Sequence, residues 1–137
     1  MTKKILVVDD ERDFADSLGE LVERQGYATE RVYGGAEAIE KFNSGQYDLV
    51  LLDLLMPEVS GWDVLANIRN SADEKKKHTP VVTVSADTRD TTVFRAYKDG
   101  TDYHVAKPFR QEHLIDIVNY LIGDMSEEER DKLEAKL

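Results

Sequence analysis

Ile5-Leu6-Val7-Val8-Asp9-Asp10 is a short apolar, β-branched run closed by two carboxylates. Residues 48–53, Asp48-Leu49-Val50-Leu51-Leu52-Asp53, repeat the design, and Val81-Val82-Thr83-Val84-Ser85 ends in a hydroxyl. Runs of four or five residues without polar alternation suit strands buried on both faces. Weaker strand candidates are Tyr27–Tyr33 and Asp102–Val105. Between the strands the period changes. Phe14, Leu18, Leu21 and Val22 share one helical face, as do Leu114, Ile117, Val118 and Leu121. Ile39 with Phe42, Leu65 with Ile68, and Val93 with Ala96 and Tyr97 mark three more helices. Gly26, Gly45, Gly100 and Gly123 follow periodic segments, where helices stop. Five strand–helix repeats predict a parallel sheet covered on both faces.

The 137 residues suit one domain. The net charge of −10 argues against direct nucleic-acid contact and against an anionic membrane surface. Residues 1–63 hold 14 acidic against 6 basic side chains, so much of the excess lies in the first half. Cysteine is absent, which removes disulfides, thiolate metal sites and cysteine nucleophiles. Runs such as Leu49–Leu52 are far too short to span a bilayer, and a cytoplasmic location is the expectation. Residues 71–79, with Lys75-Lys76-Lys77, read as a long exposed loop, and Trp62 falls in the loop region after Asp53. Residues 1–123 read as the domain. Residues 124–137 read as a charged C-terminal extension or the start of a linker, with Ser126 and Glu129 spaced as a capping box.

In an open parallel sheet, ligands bind beyond the carboxyl ends of the strands. Asp9, Asp10, Asp53, Ser85 and Lys107 all fall there. Two carboxylates about 4 Å apart repel by roughly 4 kcal/mol at an effective dielectric near 20. One lysine cannot balance three of them, whereas a hard divalent cation such as Mg²⁺ can. Mg²⁺, an ammonium and a hydroxyl together clamp phosphoryl oxygens. Asp53, alone at the end of its strand, is the natural nucleophile for an aspartyl phosphate. The chain has no Gly-rich dinucleotide fingerprint, P-loop or Gly-x-Ser-x-Gly elbow. A Mg²⁺-dependent phosphohydrolase and a phosphorylation-independent interaction module are the alternatives.

Four motifs stand in order: Ile5–Asp10; Asp53-Leu54-Leu55-Met56-Pro57 with Ser60-Gly61; Ser85-Ala86; and Lys107-Pro108-Phe109. With them, residues 3–122 resemble the receiver domain of two-component response regulators. The resemblance implies a flavodoxin-like (βα)5 doubly wound sheet of order 2-1-3-4-5, here with a short C-terminal helical extension. It implies that Asp53 accepts a phosphoryl group from a histidine kinase or histidine phosphotransfer protein. Asp10 would bind Mg²⁺ directly, Asp9 through water, and Leu55 through its backbone carbonyl. Lys107, before a cis proline, would pair with phosphoryl oxygens, and Ser85 would swing to meet them. His104 occupies the aromatic switch position. The implied role is a phosphoacceptor signalling domain rather than an enzyme acting on outside substrates. Its switched surface, residues 88–122, would signal to a downstream protein target, a fused output domain or a homodimer partner.

Overall fold

The computed structural model describes residues 2–137. Five strands, β1 (Lys4–Val8), β2 (Ala28–Val32), β3 (Leu49–Asp53), β4 (Val81–Ser85) and β5 (Tyr103–Ala106), form one parallel sheet of order β2-β1-β3-β4-β5. This is the expected order. Every strand begins and ends within a residue of the segment expected for it. Residues β1 Ile5–Val8, all of β3 and all of β4 are buried.

Alternation along the strands sorts the core into two layers. Ile5, Val7, Leu49, Leu51, Val82, Val84 and Val105 face one way, onto α1 (Arg12–Glu23) and α6 (Gln111–Ile122). Leu6, Val8, Val50 and Leu52 face the other way, onto α2 (Gly35–Ser44) and α3 (Gly61–Arg69). Leu18, Val22, Leu114 and Ile117 fill the first layer; Phe42, Val64, Leu65 and Ile68 fill the second. Each such buried side chain contributes about 1.5–3 kcal/mol relative to exposure. The periodicity of the helices thus selects which layer each residue joins.

Two sequence expectations are corrected. Residues 71–79 are not one loop. They contain a helical turn, α4 (Glu74–Lys77), because Asp73 Oδ1 accepts from the Lys75 and Lys76 N–H groups at 2.9 and 3.2 Å. Thr79 is buried rather than exposed. Trp62 does not lie in a loop either. Ser60 and Asp63 form a capping box that starts α3 at Gly61, so Trp62 sits in its first turn. There the Arg95 guanidinium of α5 (Asp90–Lys98) stacks 4.0 Å from the indole centroid.

Arg69, at the end of α3, donates to the carbonyls of Gly100, Lys77 and Thr79 at 2.9, 2.9 and 2.7 Å. It also pairs with Asp102 at 2.9 Å, and the same Asp102 oxygen accepts from Val81 N–H. The lower ends of β4 and β5 are thereby tied to α3.

Ser126 and Glu129 form the expected capping box of α7 (Glu127–Glu134). The tail folds back along α6. Arg130 donates to the carbonyls of Tyr120 and Gly123, Lys136 meets Asp116 at 3.4 Å, and Leu137 packs against the first core layer. Among the described residues, no helix is long and apolar enough to cross a membrane.

Candidate functional site

The parallel sheet delivers β1, β3, β4 and β5 to one rim. Asp9 directly follows β1 and Asp53 ends the adjacent β3; both are buried, with 1% and 6% of their surface exposed, whereas Asp10 is exposed. Carboxylate oxygens of all three lie within 4.8 Å of one another. Lys107 reaches in from the loop after β5. Its Nζ lies 2.8 Å from Asp9 Oδ2 and 3.9 Å from Asp53 Oδ1. The bond between Lys107 and Pro108 is cis, as expected.

Backbone donors and an aromatic wall complete the cluster. Glu11 N–H donates to Asp9 Oδ1 at 3.0 Å, and Leu55 N–H to Asp53 Oδ1 at 3.3 Å. The Lys107 ammonium lies 4.1 Å from the Phe14 ring centroid, and Phe14 meets Phe109 edge-on at 6.0 Å. Gly61 lies directly beneath the loop. A Cβ there would come within 2.0 Å of the Asp53 carbonyl oxygen, so the chain can turn under Asp53 only without a side chain.

Burial pushes the Asp53 carboxyl up to about 7, and the Asp9 charge adds to the rise. Lys107 and the Leu55 N–H oppose it, while exposed Asp10 raises it further. The donors are all hard oxygens, and the negative charge exceeds the single ammonium. That donor set fits Mg²⁺, and Asp9, Asp10 and Asp53 are the residues that could hold it.

Ser85 and His104 are placed differently. Ser85 is buried at the rim, but its Oγ accepts from the N–H of Asp87 at 3.1 Å. His104 is partly buried, and its Nδ1 lies 2.8 Å from Thr83 Oγ1, directly across β4–β5. Its Nε2 is buried without a hydrogen-bond partner. Burial holds the imidazole below its usual value, with Asp87 acting weakly against that. Tyr97 accepts from His104 N–H at 3.1 Å. Leu55 is 52% exposed beside the acidic cluster.

Sequence reasoning missed the parts played by Thr83, Phe14 and Arg89. Thr83 has a signal in hindsight, because a hydroxyl inside an apolar strand two residues before Ser85 must find a polar partner. Phe14 reads as part of the core face of α1, yet it also backs Lys107. The attachment of Asp87 to Arg89, at 2.6 Å, carries no sequence signal beyond proximity.

A model of the family described as "Response regulator receiver domain" matches residues 5–119. The chain belongs to this family. Similar proteins include the transcriptional regulatory protein ResD of Bacillus subtilis (strain 168), 36% identical over 124 residues. That match covers 90% of this chain and 50% of ResD, so the chain spans about half the length of that relative. The polar-differentiation response regulator DivK of Brucella ovis is 31% identical over 124 residues, covering 90% of this chain and 99% of DivK. Among solved structures, the response regulator TrrA of Thermotoga maritima, in complex with Mg²⁺-BeF, is 36% identical with a TM-score of 0.77. The match covers 88% of this receiver domain and 100% of TrrA. This chain is therefore a signalling receiver domain of the response regulator type.

Proposed function

We propose that this receiver domain accepts a phosphoryl group on Asp53, in a Mg²⁺-dependent reaction, from a histidine kinase or histidine phosphotransfer protein. The observation that carries the reading is the placement of Asp53. It is a buried carboxylate at the end of a central strand, with one ammonium and two further carboxylates around it. The likeness to TrrA, solved with Mg²⁺-BeF, supports it.

In this reading an Asp53 carboxylate oxygen attacks phosphorus. The P–N bond of the donor phosphohistidine breaks, and the imidazole nitrogen leaves with the electron pair and takes a proton from solvent. Asp9, Asp10, Asp53 and the Leu55 carbonyl would hold Mg²⁺, which would supply positive charge against the carboxylates and the phosphoryl oxygens. Lys107 pairs with the phosphoryl oxygens, and Ser85 donates its hydroxyl to one of them. The domain catalyses only its own phosphorylation and dephosphorylation. His104 then repositions with Ser85, and residues 88–122 signal to a downstream target, an output domain or a second copy. Residues 1–123 are the phosphoacceptor unit, residues 124–137 an extension, and the site of action is the cytoplasm.

Incubation with acetyl phosphate and Mg²⁺ tests this reading. Wild type is expected to take up one phosphoryl group, and Asp53→Asn none. Labelling of Asp53→Asn at the wild-type rate would sink the assignment. Repeated turnover of an external phosphate ester would instead favour a phosphohydrolase.

A further inference from the structure

Residues 124–137 carry six acidic and three basic side chains, yet the side they turn to the domain is not acidic. No residue of α7 is buried, and its half-buried ones are Arg130 and Leu133, one turn apart. Leu137, a turn further on, is half-buried too and packs against the first core layer. Glu127, Glu128, Asp131 and Glu134 face solvent. The docked side is thus cationic and apolar, and the acids lie outside.

What this side covers is α6. From His113 to Ile122 every residue of α6 is buried or half-buried, whereas α1 exposes Asp13, Ser17, Glu20 and Glu23. Arg130 stands 5.5 Å from the Tyr120 ring centroid and donates to the carbonyls of Tyr120 and Gly123. Lys3 donates to the carbonyl of Ile122 between them. The last turn of α6 has no basic residue of its own, so these cations meet the negative end of its dipole. Capping of a helix end accounts for Arg130. It does not account for Lys136, which meets Asp116 at 3.4 Å well before that end, nor for Leu137.

The attachment is thin, and an eight-residue helix does not hold its shape alone in water. α7 is therefore helical only while docked, and its short tether to α6 keeps it at an effective concentration of roughly millimolar. We infer that α7 is a self-docked strap: it occupies a helix-binding face of α6, centred on Asp116 and Tyr120, and keeps from that face other helices of the same chemistry, leucine-type side chains flanked by cations. The strap needs no phosphoryl group and stands apart from the Asp53 reading. A competing helix gains the face only in molecules whose α7 has let go, and its apparent affinity falls by that fraction.

A synthetic peptide of residues 124–137 is the probe, followed by NMR on the full chain without metal or phosphodonor. In wild type, α7 amides are expected to exchange about tenfold or more slowly than in the free peptide. Arg130→Ala with Leu137→Ser is expected to abolish that protection while β1 and β3 amides keep theirs, which shows an intact fold. The peptide is expected to bind this released variant with a roughly millimolar Kd, shifting residues 115–123, and wild type about tenfold more weakly. Adding Asp116→Ala to the released variant is expected to weaken binding about two- to threefold, as suits an exposed pair. Unprotected α7 in wild type overturns the strap. So does equal peptide binding by wild type and released variant, or no shift in the released variant. Labelling of Asp53 enters none of these outcomes and judges the phosphoryl reading separately.

Discussion

Lys107 sits closer to Asp9 than to Asp53, at 2.8 against 3.9 Å. Among the described residues the ammonium of the cluster is engaged mainly by the carboxylate that flanks the nucleophile, while burial and then the Asp9 charge raise the proton affinity of Asp53. In the proposed reading, a cation among the carboxylates would free the lysine for incoming oxygens.

Removing that ammonium is costly. Lys107→Ala leaves buried Asp9 without its partner, and loss of one member of a buried pair costs roughly 3–5 kcal/mol. Urea unfolding in EDTA is expected to show this loss, and Mg²⁺ is expected to restore part of it. Acetyl phosphate labelling of the variant is expected to slow sharply.

Charge crowding makes the opposite prediction for the nucleophile. Asp53→Asn removes one of three converging negative charges while keeping the shape. In metal-free buffer at pH 7.5 it is expected to stabilise the protein by about 1–3 kcal/mol. The gap to wild type is expected to narrow in millimolar Mg²⁺, because only the wild type retains the full oxygen set. A melting comparison with and without EDTA checks both points.

His104 predicts an acid-side loss of stability. Its folded value lies below that of an unfolded histidine, near 6.5, so the unfolded chain binds more protons in between. The contribution is fully present above pH 6.5 and drains away as pH falls toward the folded value. Urea melts between pH 7.5 and 5 are expected to show this slope, and His104→Phe to flatten it. Measuring both in an Asp53→Asn background removes the opposing contribution of that carboxyl.

Gly61→Ala tests the turn beneath the site. The new methyl would stand 2.0 Å from the Asp53 carbonyl oxygen and 2.6 Å from Leu54 Cα, both backbone atoms with little room to yield. A loss of about 3 kcal/mol or more is expected, with labelling at Asp53 slowed because the loop carrying Leu55 must shift. Denaturant melts and a labelling time course read the two effects separately.

The strands and the two-layer core were legible because they rest on local periodicity, which Ile5–Val8 and Leu49–Leu52 display without polar interruption. Asp9, Asp10, Asp53 and Lys107 were legible because the end of a parallel strand fixes where the next residue points. Other features depended on distant partners. The α4 turn follows from one Asp73 carboxylate reaching two amides inside a basic run that reads as loop. Arg69 carries no sequence signal of its own, and its acceptors lie 8 to 33 positions away. His104 was placed at the strand end, but its partner depends on the β4–β5 register that sets Thr83 opposite it.

Arg69 also makes the feet of two strands depend on one side chain. With β4 and β5 pinned at their lower ends by one guanidinium, the two strands resemble planks nailed at the foot. The carbonyls of Lys77, Thr79 and Gly100 and the Asp102 carboxylate all depend on that one guanidinium, so its loss would free both strand feet together rather than one contact at a time.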